Sequence, residues 1–157
     1  KHSSFINFDK FHKYNNLTGV YIRTTDVKWR KNRLASHFDN SLFIDYIVSN
    51  NINEIFMASD SQSEFNNIRD STLVTIHSND CYRSEGGLGS PGHTEWINHC
   101  SGEKLADDVM NDMISLSHCK NIIMIGGGNV TYMASILNPN LFLHNLIENP
   151  KLKSGKW

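Results

Sequence analysis

Short apolar runs rich in β-branched and aromatic residues alternate along this chain with segments of helical periodicity. No other feature of the sequence restricts the fold as much. Residues 17–23 (LTGVYIR), 54–59 (EIFMAS), 72–77 (TLVTIH), 121–125 (NIIMI) and 141–145 (LFLHN) read as strands. Between them, residues 40–50 place Leu42, Phe43, Tyr46 and Ile47 at helical spacing, with Asp39 or Asn40 as N-cap. Asp60 caps a short helix through Arg69 that turns Phe65 and Ile68 inward. Residues 103–118 read as a well-covered helix on Leu105, Val109, Met110, Met113, Ile114 and Leu116. A last helix, residues 130–137, follows the turn Gly126-Gly127-Gly128-Asn129. This alternation predicts a Rossmann-like three-layer α/β domain with a mainly parallel sheet of about five strands.

The 157 residues suit one such domain, interrupted by a Gly-rich loop at 78–102 and ended by a polar tail at 148–157. Apolar residues make up 39% and charged residues 20%, which argues against disorder. A net charge of −1 argues against a nucleic-acid partner, and no apolar run approaches the ~20 residues of a membrane span. Three cysteines, Cys81, Cys100 and Cys119, are too few and too scattered for a disulfide scaffold. They favour a reducing, cytoplasmic setting. A eukaryotic chain preceded by a signal anchor would instead belong in the Golgi lumen. Two triplets, at Asn16 and Asn129, fit the glycosylation pattern.

In doubly wound sheets, ligands sit beyond the carboxyl ends of the strands, near the switch in strand order. Arg23 ends the first strand, with Thr24, Thr25 and Asp26 after it; an Arg there can hold a phosphate bidentately or simply pair with Asp26. Gly126, Gly127 and Gly128 follow the fourth strand and open a helix, where backbone N–H groups and the helix dipole favour an anion. The same glycines, with Thr131 and Glu148, half-match a dinucleotide fingerprint, which keeps an NAD-binding domain as an alternative. Asp107 and Asp108 read as solvated. Cys81, His93, His99 and Cys100 are metal-ligand types in one loop, but their spacing is irregular and no metal is expected. His93 can titrate near neutral pH and is the candidate base.

VYIRTTD (residues 20–26) resembles the V-H-V-R-R-T-D strand-end motif of the α-1,6-fucosyltransferases, a family that includes nodulation enzymes and those that core-fucosylate N-glycans. IFMASDSQSEF (55–65) and DMISLSHCKNIIMIGGGNVTYMAS (112–135) resemble two further segments of that family in the same order, so the likeness spans about residues 17–137. The resemblance implies the carboxyl-terminal, donor-binding domain of a two-Rossmann-domain (GT-B) glycosyltransferase. It implies that Arg23 binds the β-phosphate of GDP-fucose and Asp112 the guanine, that Asp26 matches the motif's Asp, and that Gly127 and Gly128 stand where a Ser pair lies by the phosphates. It also implies inverting transfer to a glycan acceptor without a metal, the GDP-sugar being a donor substrate and no cofactor being needed. A complete enzyme of this architecture has a second domain, here expected as a separate amino-terminal acceptor domain or subunit of ~100–200 residues. The sequence departs from the family at Thr24 (Arg), Val27 (Lys), Tyr21 (His) and the Ser pair. Those departures favour the main alternative, a non-catalytic binding module on the same fold.

Overall fold

Five short strands pair side by side: β1 (Thr18–Ile22), β2 (Glu54–Ser59), β3 (Thr75–His77), β4 (Asn121–Ile125) and β5 (Phe142–Asn145). All pairings are parallel, in the order β3-β2-β1-β4-β5. The molecule is seen in a computed structural model that describes residues 8–23, 40–83, 101–125 and 128–146. β1 is central, with Val20 opposite Met57 on one side and Ile123 on the other.

The strands read as continuous apolar runs because both sheet faces are covered. Val20, Ile22, Ile55, Met57, Ile123 and Ile125 pack with Phe43 and Ile47 of α1 (Asn40–Ser49) and Phe65 and Ile68 of α2 (Gln62–Ser71). The alternate residues Tyr21, Phe56, Ala58, Ile122 and Met124 pack with α3 (Gly102–Ser117) and α4 (Asn129–Leu137) through Met113, Ile114, Leu116 and Ala134. Gly19 lets α3 come close: a Cβ there would lie 2.9 Å from Leu116 Cδ2 and 3.2 Å from Cys119 Sγ. The α/β doubly wound sheet is therefore the one the alternation predicts.

Local chemistry moved several boundaries. The N-cap of α2 is Ser61 rather than Asp60: its hydroxyl accepts the Glu64 N–H at 3.4 Å, and the helix runs on to Ser71. Thr72 then bonds back to the Ile68 carbonyl at 3.0 Å and Leu73 points into solvent, so β3 shrinks to Thr75–His77. α1 ends with Asn51 in the left-handed region (φ 52°), where Ile52 N–H reaches back to the Ile47 carbonyl. α3 is less covered than its periodicity suggests, since Val109 and Met110 are about two-fifths exposed. A 3₁₀ helix (Phe8–Tyr14), which strand-helix alternation does not reveal, inserts Phe11 and Tyr14 into the core. The three-residue spacing of Phe8, Phe11 and Tyr14 is the signal for it.

Candidate functional site

Strand order reverses between β1 and β4. From β1 the chain crosses to β2 on the face covered by α1 and α2; from β4 it crosses to β5 on the face covered by α3 and α4. The crevice between the two crossovers is where such a sheet takes a ligand. Arg23 stands at its rim. Its backbone N–H donates to the carbonyl of Ile125, the last residue of β4, at 3.0 Å, carrying the β1–β4 pairing one residue past the end of β1. Its side chain shares a face with Gly19 and Tyr21 and crosses over Gly128. Nη1 lies 2.8 Å and Cδ 3.1 Å from where a Cβ on residue 128 would be, with Tyr21 Cε1 3.5 Å away.

Gly128 is the N-cap of α4. Its carbonyl accepts the Thr131 hydroxyl at 2.9 Å and the Tyr132 N–H at 3.2 Å, but among the described residues no side chain caps the first turn. The helix thus begins with uncapped backbone donors and the positive end of its dipole. A guanidinium resting on that same residue adds a full positive charge. The two features suit an anion with several acceptor oxygens.

Asp112 belongs to a second polar cluster, between α3 and the segment after β3. Its Oδ1 accepts Asn79 Nδ2 at 2.8 Å, and its Oδ2 faces Cys81 Sγ at 3.7 Å. Asn79 also donates to Ser115 Oγ at 3.1 Å. Arg83 donates to the Asn79 and Cys81 carbonyls at 3.3 Å each and lies over the Phe65 ring at 4.1 Å. Burial pushes the Asp112 carboxyl up to about 6, against the opposing pull of the Asn79 hydrogen bond and the Arg83 charge. Burial, helped by the Asp112 charge, pushes the Cys81 thiol up to about 12, which leaves it a weak nucleophile.

Asp108 is not solvated. It is buried, accepting Lys104 Nζ at 2.9 Å and the Tyr82 N–H at 3.3 Å. The Tyr82–Asp108 bond and the Asn79 and Cys81 contacts with Asp112 fasten the segment after β3 to α3, so the start of the expected loop is tied to the helix. Asn79, Arg83 and Ser115 were not anticipated. Only the Lys104, Asp108, Asp112 spacing hinted that this helix face is polar and shared. An open pocket of about 180 Å³ borders this cluster, lined by Lys10, Lys13, Asn79, Asp80, Asp108 and Asn111 among others, and shares no residue with the Arg23–Gly128 contact.

Of the residues expected at the site, Arg23 and Gly128 meet directly and Asp112 lies in the cluster above. Thr24, Asp26, His93, Gly126 and Gly127 lie outside the described residues, as does Glu148 of the dinucleotide alternative. Ser59 and Ser61, also at the strand ends, bond each other and cap α2. Among the described residues, no group of three or more His, Cys, Asp or Glu could hold a metal ion, and no helix is long and apolar enough to cross a membrane.

No protein-family profile and no curated protein matches the sequence. Among solved structures, the chain is similar to a crystal structure of POFUT1 in complex with GDP, at 11% identity and a TM-score of 0.49. The match covers 88% of this chain and 44% of that one, so the chain spans less than half the length of that structure.

Proposed function

We propose that the Arg23–Gly128 junction binds the diphosphate of a nucleotide sugar, with GDP-fucose as the donor, and that the chain is the donor-binding part of a fucosyltransferase-like glycosyltransferase. The observation that carries this reading is the placement of the Arg23 guanidinium on the residue that opens α4, at the point where strand order reverses. The likeness of residues 20–26 and 112–135 to the fucosyltransferase motifs supports the choice of donor.

The chemistry follows from charge. An acceptor hydroxyl attacks the anomeric carbon as the bond from that carbon to the β-phosphate oxygen breaks. Negative charge builds on the departing diphosphate, and a guanidinium with uncapped helix N–H groups stabilises it without reorganising. His93 is proposed as the base that takes the acceptor's proton, and Thr24, Asp26, Gly126 and Gly127 as further donor contacts. A separate domain or subunit would present the glycan.

Asp112 would have to accept a guanine edge beside the contacts its oxygens already make with Asn79 and Cys81. That occupied state favours a second reading, a module that binds a nucleotide and catalyses nothing. A thermal-shift titration with GDP, GDP-fucose, UDP, ADP and NAD tests both. Ligand at ~100 times its dissociation constant adds about 2.7 kcal/mol of stability. The proposal expects that shift with the guanine nucleotides alone. A shift with NAD alone would replace it with the dinucleotide reading, and fucose transfer by the chain with its acceptor domain would eliminate the non-catalytic module.

A further inference from the structure

Glycine at a helix start usually serves the backbone, by allowing a conformation that other residues resist. Gly128 does not. Its φ of 173° and ψ of 178° are extended backbone that any residue adopts. Nor is glycine the residue that best begins a helix: Ser, Thr, Asp or Asn would satisfy one of the first-turn donors, and glycine has no side chain to do so. What position 128 lacks is room. Any Cβ would lie 2.8 Å from Arg23 Nη1 and 3.1 Å from Arg23 Cδ, both tighter than ordinary contact, while Tyr21 Cε1 lies 3.5 Å away.

We propose that Gly128 is a positioning residue: its bare Cα is the slot that holds the Arg23 guanidinium at the uncapped start of α4, so that both act on one anion. Arg23 is then held at both its backbone and its side chain. Its backbone is tied to Ile125, the last residue of β4, and the far end of its side chain is seated on the residue that opens the next helix. A side chain that is free in solution loses rotamer entropy when it closes on a ligand. Seated this way, Arg23 has lost much of it already. A Ser or Asp at 128 would fail twice, displacing the guanidinium and taking an N–H from the ligand.

The inference rests on reading the junction as a diphosphate site, but one of its tests does not. Gly128→Ala should fold, because the backbone is unstrained and the obstructing atoms belong to the far part of a flexible side chain; its melting temperature should stay within about 3 °C of the parent. A crystal structure of this variant without ligand should show Nη1 moved out to ordinary contact, 3.4 Å or more from the new Cβ. A guanidinium still in place, with the start of α4 shifted instead, would overturn the positioning role.

Calorimetric titration with GDP supplies the second arm. Gly128→Ala should lose about tenfold in affinity, the scale of one charge-assisted hydrogen bond. In an Arg23→Ala background the same substitution should cost nothing further. A full tenfold loss in that background would assign the effect to the helix backbone and refute the slot. If the parent chain takes no GDP, the diphosphate reading fails, and the crystallographic arm still decides what Gly128 does to Arg23.

Discussion

Replacing Arg23 by Ala removes a guanidinium seated on Gly128 but leaves the backbone bond to Ile125 in place. GDP affinity should therefore fall by roughly 10- to 100-fold with little change in melting temperature, read by calorimetric titration and a thermal scan. Unchanged affinity would remove Arg23 from the site. Asp112 makes a different prediction. Burial lifts its pKa in the fold to about 6, above the ordinary carboxylate value of 3.8, so the fold favours the protonated form. The stability linked to this group is complete below about pH 4 and is lost as pH rises through about 6, on the order of 2–3 kcal/mol. Asp112→Asn does not titrate, so its melting temperature should gain on the parent between pH 4 and pH 7. A difference that stays flat across that range would mean the carboxyl is not strained by burial. Arg23 directly follows β1 and Gly128 lies three residues past the end of β4, so both were legible in the sequence as candidates from the fold class alone. The partners of Asp112 were not. Asn79 and Cys81 come from a segment whose path no local pattern sets, and an acid at helical spacing reads as solvated until that segment lies on it.

Elements were most legible where hydrophobic pattern and length agreed. β2 and β4 match their apolar runs, residues 54–59 and 121–125, because both faces of those strands are buried. The α2–β3 boundary was misplaced because Thr72 and Leu73 look like strand residues but close the helix by a hydroxyl bond and an exposed side chain. The approach of α3 to the sheet depends on Gly19, which no periodicity marks. Gly19→Val places branched methyls against Leu116, Cys119 and Ile122, all buried. It should cost about 1–3 kcal/mol by overpacking, measured as a lowered midpoint in urea unfolding with an unchanged slope. A neutral result would mean that α3 can slide away from β1 freely, and the close packing described here would not constrain the element.

For the whole molecule, strand order is what brings two distant stretches of sequence to one junction. Alternation of strands and helices implies a parallel sheet with helices on both faces. It does not by itself say that β1 and β4 are neighbours, and that adjacency brings Arg23 to Gly128. The resemblance to fucosyltransferases supplies the expected ligand; the junction by itself supplies a chemical reason only for an anion. The most direct test is an NMR titration of the chain with GDP, following the backbone amides of Asn129, Val130 and Thr131 and the side-chain Nε–H of Arg23. These signals should show the largest shifts and saturate together. Binding that moves signals elsewhere and leaves these four in place would contradict binding at the junction.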